Sequence, residues 1–347
     1  MNKRLPLVSI MIPNRNHASF LDQCIESALY QTYCNIEIIL LDNCSDDNSM
    51  EVASRYIDKG VRVCKNPHNI VNKNYNVLSL LAEGDYIMLL CADDLLKPKF
   101  IEKCVNIMEQ HQNVGYVHCD RDYIDASGNI TELDPFYSCS FIAPGQSVLP
   151  IYMLTDVAQP AQCLMRRAAF NKILGYDTEI DHTNADKDLW FRLSLVSDYA
   201  YIREKFSLIR IHESRETTAG FRRFFHPLAI YLMQDIQAKW GELEGYEDVM
   251  QRLPAAHRKL SSESLQIALS CLMEGDAKLA KKYLIFSQLV FSEIVDDENY
   301  KLIQTIISNS LRTGEVTMPK NAEQNMFLSR KRSYDPPGGY TAIEVRS

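Results

Sequence analysis

The chain of 347 residues has no GxGxxG fingerprint and no GxxxxGK[ST] loop. Without a glycine turn that brings backbone N–H groups onto a pyrophosphate, any bound nucleotide has to be gripped by side chains, which sets aside the dinucleotide-dependent dehydrogenases and the P-loop enzymes. An apolar run approaching the ~20 residues of a membrane span is also missing. So is any excess of positive charge: 37 Lys and Arg against 45 Asp and Glu leave a net charge of −8. That balance gives no general attraction to nucleic acid. The ten cysteines form no CxxC pair, and no secretory leader precedes them. They read as reduced core residues of a cytoplasmic protein, with peripheral contact to a membrane left open.

What the sequence does have is centred on residues 86–98, YIMLLCADDLLKP. A continuous apolar run of strand length is the mark of a strand buried on both faces, as in a parallel sheet. It delivers Asp93 and Asp94 to its carboxyl end, the edge at which open α/β sheets bind ligands. Adjacent carboxylates repel each other unless a cation lies between or beyond them, and a divalent ion holding a phosphate is the commonest such partner. Taken alone, the pair fits equally well a solvated strand-to-helix turn capped by Asp94.

The neighbouring segments favour the first reading. Residues 7–12 (LVSIMI) predict a strand that stops at Pro13, Asn14, Arg15 and Asn16, and residues 19–31 a helix with Ser19 as its N-cap. Residues 36–41 predict a second strand ending in Asp42, residues 50–59 a helix and residues 61–64 a third strand. This alternation makes a parallel sheet with right-handed crossovers. An acidic side chain at a strand's carboxyl end, such as Asp42, can accept a hydrogen bond from a base or ribose; it can equally serve the turn. An Asn-rich start at Asn69, Asn72, Asn74 and Asn76 passes into a helix that Gly84 is expected to stop in the left-handed conformation. Residues 100–111 predict a helix and 114–119 a strand. Asp120 and Asp122 beyond it, next to the turn sequence DASGN, read as structural. Asp186 opens a helix, where a carboxylate is favoured by the helix dipole whether or not it does chemistry. Residues 206–211 predict a last strand before His212.

Five separated motifs, VSIMIPNRN, QTYCNIEIILLDNCSDDNS, AEGDYIMLLCADDLLKP, ADKDLWFRL and IRIHESRET, occur in this order over about residues 5–218. The combination resembles the family 2 inverting glycosyltransferases. The resemblance implies the GT-A fold, an α/β, Rossmann-like, mostly parallel sheet flanked by helices, here followed by a C-terminal α-helical extension. It implies a donor site at Pro13, Arg15, Asn16, Asp42, Asn76 and Asp93, with Asp42 reading the base. It also implies Mn²⁺ or Mg²⁺ held by Asp94 with help from His212, and Asp186 as general base. The implied partners are a nucleotide-sugar donor, UDP-linked, and a glycan, lipid-linked or protein acceptor. Arg15 stands where the family often has an aromatic residue, Tyr75 where it has an arginine, and Ala185 where it has a glutamate.

The motifs end near residue 218. Residues 221–240, with Arg222 and Arg223 among phenylalanines, predict an amphipathic helix that packs on the catalytic domain or lies on a membrane. Residues 260–273, 277–291 and 300–309 predict further helices, a place for a homodimer contact. The expected organisation is a catalytic domain over 1–218, a helical extension over 219–311 and a flexible tail over 312–347. A nucleotidyltransferase would share the sheet and acidic site, but residues 13–19 lack its usual glycine and lysine. A non-catalytic nucleotide-sugar-binding or scaffold protein is the other alternative.

Overall fold

Leading apolar strands that alternate with helices dictate the architecture of a computed structural model that describes residues 4–155, 157–179, 184–212, 224–318 and 334–345. The chain divides into two units, one of 1–152, 156–212 and 332–347, the other of 153–155 and 213–331.

In the first unit, β1 (Val8–Asn14), β2 (Ile36–Asp42), β3 (Val61–Lys65) and β4 (Tyr86–Leu89) are parallel in the order β3-β2-β1-β4. Every residue of β4 is buried, as its unbroken apolar sequence requires. The crossovers are α1 (Ala18–Leu29), α2 (Ser49–Ser54) and α3 (Lys73–Leu81). Then follow β5 (Leu95–Leu96), α4 (Phe100–Gln110), β6 (Val114–Asp125), β7 (Ile130–Thr131), β8 (Phe141–Ala143) and α5 (Gly145–Tyr152). The unit continues through β9 (Cys163–Arg166), α6 (Arg167–Lys172), α7 (Ala185–Val196) and β10 (Asp198–Ile211). The short β9 runs antiparallel between β4 and β6, and β10 is parallel to β6. Two reversals restore direction, so β1, β2, β3, β4, β6 and β10 all end at one edge of the sheet.

Several sequence expectations change here. Helix α1 starts at Ala18 with His17 at the N-cap position, and the Asp47 carboxylate, not Ser19, accepts the Ala18 N–H at 2.9 Å. Gly84 is not left-handed: α3 ends in an extended Ala82. A Cβ on Gly84 would lie 2.6 Å from Ser9 Oγ and 2.7 Å from Ser9 N, so the glycine serves close approach to β1. Strands β6 and β10 are twice as long as expected, because their polar positions pair across the sheet. Asp120 accepts the Phe136 N–H and the Tyr201 hydroxyl, and Asp122 is paired with Lys205 at 2.9 Å. Both are structural, as read.

The second unit comprises α8 (Phe225–Leu243), α9 (Glu247–Met273), α10 (Ala277–Val290) and α11 (Glu298–Thr313). Asp276 and Asp297 cap α10 and α11 by accepting N–H groups of the first turn, and Gly314 ends α11 at φ 80°. Leu265, Leu269, Tyr283 and Ile303 lie in its core. Helix α9 runs continuously through Pro254 rather than starting at 260. Residues 213–223, including the expected boundary at 218 and the basic start of the 221–240 helix, lie outside the described residues. No helix among the described residues is long and apolar enough to cross a membrane.

The expected tail does not hold for residues 334–345. Tyr334 bridges Tyr137, and β11 (Thr341–Ala342) pairs antiparallel with β8 at the end of the sheet. The polar composition concealed this because β11 is an exposed edge strand with little to bury.

Candidate active site

Where β1 and β2 end side by side, Asn14 and Asp42 face each other. The buried Asp42 carboxylate accepts Asn14 Nδ2 at 2.8 Å, Ser45 Oγ at 2.5 Å and the Ser45 N–H at 2.9 Å. Asp42 therefore orders its own turn. Asn16, at φ 58°, closes the companion turn: its N–H donates to Ser45 Oγ and its side-chain oxygen accepts the Asp46 N–H. Pro13 is half-buried in register with Leu41, while Arg15 is exposed. Of the donor residues expected on this turn, Arg15 is exposed, and Asn16 and Asp42 hydrogen-bond within the turn.

Beyond β4, the short β5 pairs with Ser207 and Leu208 of β10, and this pins the Asp93–Asp94 loop to the end of β10. Arg210, 1 % exposed, completes the clamp. Its backbone N–H donates to Asp94 Oδ1 at 2.8 Å, and its guanidinium donates to the carbonyls of Asp93 and Asp125 and to Gln23 Oε1 at 2.7–2.8 Å. The guanidinium also lies over the Phe20 ring, 4.6 Å from its centre. Asp94 is thus buried at 5 % exposure and committed to the backbone of β10. Asp93 stands more open, with His212 Nε2 2.9 Å from its Oδ2. The expectation paired His212 with Asp94; the structure pairs it with Asp93, because Asp94 turns inward and Asp93 outward at a strand end. Burial works against ionisation of Asp93, yet the hydrogen bond to His212 and the nearby charge of His17 hold its carboxyl below the usual range.

Asp186 lies in the first turn of α7, half-buried, with Oδ1 accepting the Lys187 N–H at 2.9 Å. The dense protein around it desolvates the carboxyl and raises its pKa to about 6 despite that hydrogen bond. Asp188, one turn-edge later, is a structural partner of Arg192 at 2.6 Å, and Trp190 is core, donating to the Ala158 carbonyl. Asn76 spans to the segment ahead of α7: its Oδ1 accepts the Tyr176 N–H at 3.0 Å and its Nδ2 donates to the Tyr176 carbonyl at 2.8 Å. Both ends of that amide therefore hold the segment ahead of α7 in place.

Cys91 reports how these groups converge. Burial pushes its thiol well above the usual range, and the charges of Asp94, Asp93 and Asp186 push it further. Ligand atoms of Cys91, Asp93 and Asp94 lie within 4.8 Å of one another, and Asp186, from a distant segment, is near enough for its charge to act on the same thiol.

The family model for glycosyl transferase family 2 matches residues 9–174. An uncharacterized glycosyltransferase of Rickettsia typhi is 30% identical over 251 residues, which are 69% of this chain and 72% of that protein. The chain belongs to glycosyl transferase family 2. Among solved structures, S. aureus TarS (1–349) superposes with a TM-score of 0.59 at 13% identity, covering 89% of this chain and 92% of that one. A mannosyltransferase of Pyrobaculum calidifontis, solved with GDP-Man and Mn²⁺, superposes at 0.55 and 11% identity, covering 92% of this chain and 83% of that one. These likenesses establish the GT-A fold.

Three residues of this family 2 glycosyltransferase escaped the sequence reading. Arg210 sits between isoleucines in an apolar strand, and a lone charge there is the available signal for a buried clamp. His17 is a loop residue whose proximity to His212 is purely tertiary. Cys91 was counted as one more core cysteine.

Proposed function

We propose that the chain transfers a sugar, with inversion, from a nucleoside diphosphate donor, UDP-linked, to a hydroxyl of a glycan, lipid-linked or protein acceptor. The observation that supports this reading is the cluster of Cys91, Asp93 and Asp94, whose ligand atoms lie within 4.8 Å of one another, with Asp186 near enough for its charge to act on the same thiol. One negative pole grips a cation-bridged diphosphate, and a separate carboxyl takes a proton. Another structure of TarS holds UDP-GlcNAc, which supports a donor of this class.

The donor set fits a divalent ion. Ligand atoms of His17, Asp93 and His212 lie within 4.8 Å of one another, as do those of Cys91, Asp93 and Asp94. Asp93 with His212 would hold the ion, Mn²⁺ or Mg²⁺, and Asp94 would fix the loop. A bound ion supplies positive charge to the departing diphosphate.

Asp186 does the proton work. A base is most useful when its pKa lies near the working pH, and burial has brought this carboxyl to about 6. The Lys187 N–H orients Oδ1, and Oδ2 accepts the proton of the acceptor hydroxyl as that oxygen attacks the anomeric carbon opposite the leaving group. Arg210 holds the donor loop still throughout. All ten cysteines are unpaired, in keeping with a reducing compartment, the cytoplasm.

Calorimetric titration with UDP, GDP and dTDP, with and without Mn²⁺, followed by a donor screen for nucleotide release, tests the reading. UDP binding strengthened by Mn²⁺ is expected. Failure of every nucleoside diphosphate to bind would end it.

A further inference from the structure

His17 is given no role in the reading above, although its ligand atom lies with those of Asp93 and His212. It occupies the N-cap position of α1, and the next turn carries Phe20. The Phe20 ring packs on the His212 ring at 4.9 Å, while its other neighbour is the Arg210 guanidinium at 4.6 Å. The start of α1 is therefore locked against the end of β10. In that arrangement the His17 and His212 rings stand nearly perpendicular, 79° between planes and 5.9 Å between centres. One nitrogen of each ring and one oxygen of Asp93 fall within 4.8 Å of one another.

We infer that His17 is a third protein ligand to the cation, giving a set of two imidazoles and one carboxylate that selects first-row transition ions over Mg²⁺. This rests on the metal-dependent reading above. Mg²⁺ is hard, prefers oxygen and keeps its waters; a site meant for it needs a carboxylate and phosphates but gains little from a second imidazole. Mn²⁺ is also hard but, as a first-row transition ion, takes imidazole more readily than Mg²⁺, and the borderline Fe²⁺, Co²⁺ and Zn²⁺ more readily still. A three-sided set leaves the remaining positions for diphosphate oxygens and water.

The test is Mn²⁺ binding by the full chain, read by calorimetry and pulsed electron paramagnetic resonance, for wild type, His17→Ala, His17→Asn and His212→Ala. His17→Asn retains a residue that caps helices, so it separates ligand loss from loss of the helix start. Two imidazole nitrogen couplings are expected in wild type and one in each variant. Mn²⁺ affinity should fall at least about tenfold in both His17 variants while Mg²⁺ affinity is nearly unchanged. A wild-type spectrum with a single imidazole, unaltered by His17→Ala, would overturn the inference and leave the metal reading standing. A wild type that takes up no Mn²⁺, alone or with UDP, would overturn both.

Discussion

The imidazole Nε2 of His212 lies 2.9 Å from Oδ2 of Asp93, although 119 residues separate them in the chain. The contact exists because β5 and Arg210 tie the loop after β4 to the end of β10. It also divides the labour between adjacent carboxylates. Asp93 pairs with His212, and Asp94 gives an oxygen to the Arg210 N–H.

From that division it follows that Asp93→Asn cuts turnover by at least about a hundredfold, whereas Asp94→Asn, which can still accept the Arg210 N–H, costs less. Steady-state assays of the two variants with saturating Mn²⁺ check the order. Equal losses, or a larger loss for Asp94→Asn, would return the metal to Asp94.

Asp186→Asn should lose about 10²–10⁴ in turnover, the usual contribution of a positioned base. In wild type, kcat should rise with pH through about 6, as the carboxyl deprotonates. The sign for stability is opposite. With its folded pKa raised, Asp186 favours the folded state when protonated at low pH and opposes it once pH rises through about 6. Replacing it with neutral Asn should therefore raise stability above that pH, by about 1–2 kcal/mol after allowance for its partial exposure. Thermal melts at pH 5 and pH 8 compare the two proteins; a gain at pH 5 equal to that at pH 8 would contradict the account.

Arg210→Met removes the donors that hold the Asp93 and Asp125 carbonyls and Gln23, and it should destabilise the first unit by about 2–4 kcal/mol. Arg210→Lys, a point charge on a flexible stem, cannot reproduce three fixed directions and should recover less than half of the loss. Urea unfolding measures both. Full recovery by lysine would show that charge, not geometry, holds the loop.

Gly84→Ala should cost about 1–3 kcal/mol through overpacking against β1, although the backbone there suits any residue. Adding Ser9→Ala should rescue little, because the Ser9 N–H and the Tyr86 carbonyl would still crowd the new methyl group. A neutral Gly84→Ala in chemical denaturation would remove close approach as the reason for this glycine.

The sequence by itself determined the parallel half of the sheet and the place of its acidic edge. Unbroken apolar runs such as 86–90 can be satisfied only by burial on both faces, and a strand's carboxyl end follows from its direction. The place of Asp93 and Asp94 at that edge was legible for that reason, and the structural character of Asp120 and Asp122 from the turn sequence beside them; Asp186 and His212 entered through the family resemblance. What each polar group does was decided only by tertiary structure. A carboxylate's role depends on which donors reach it, and the donors of Asp42, Asn76 and Asp94 come from segments far along the chain. The same holds for His17 and Arg210, whose neighbours at the site belong to other elements, and for β11, an edge strand with too little to bury to leave a periodic trace. Local pattern encodes burial and direction; convergence between distant segments is set only when the sheet is assembled.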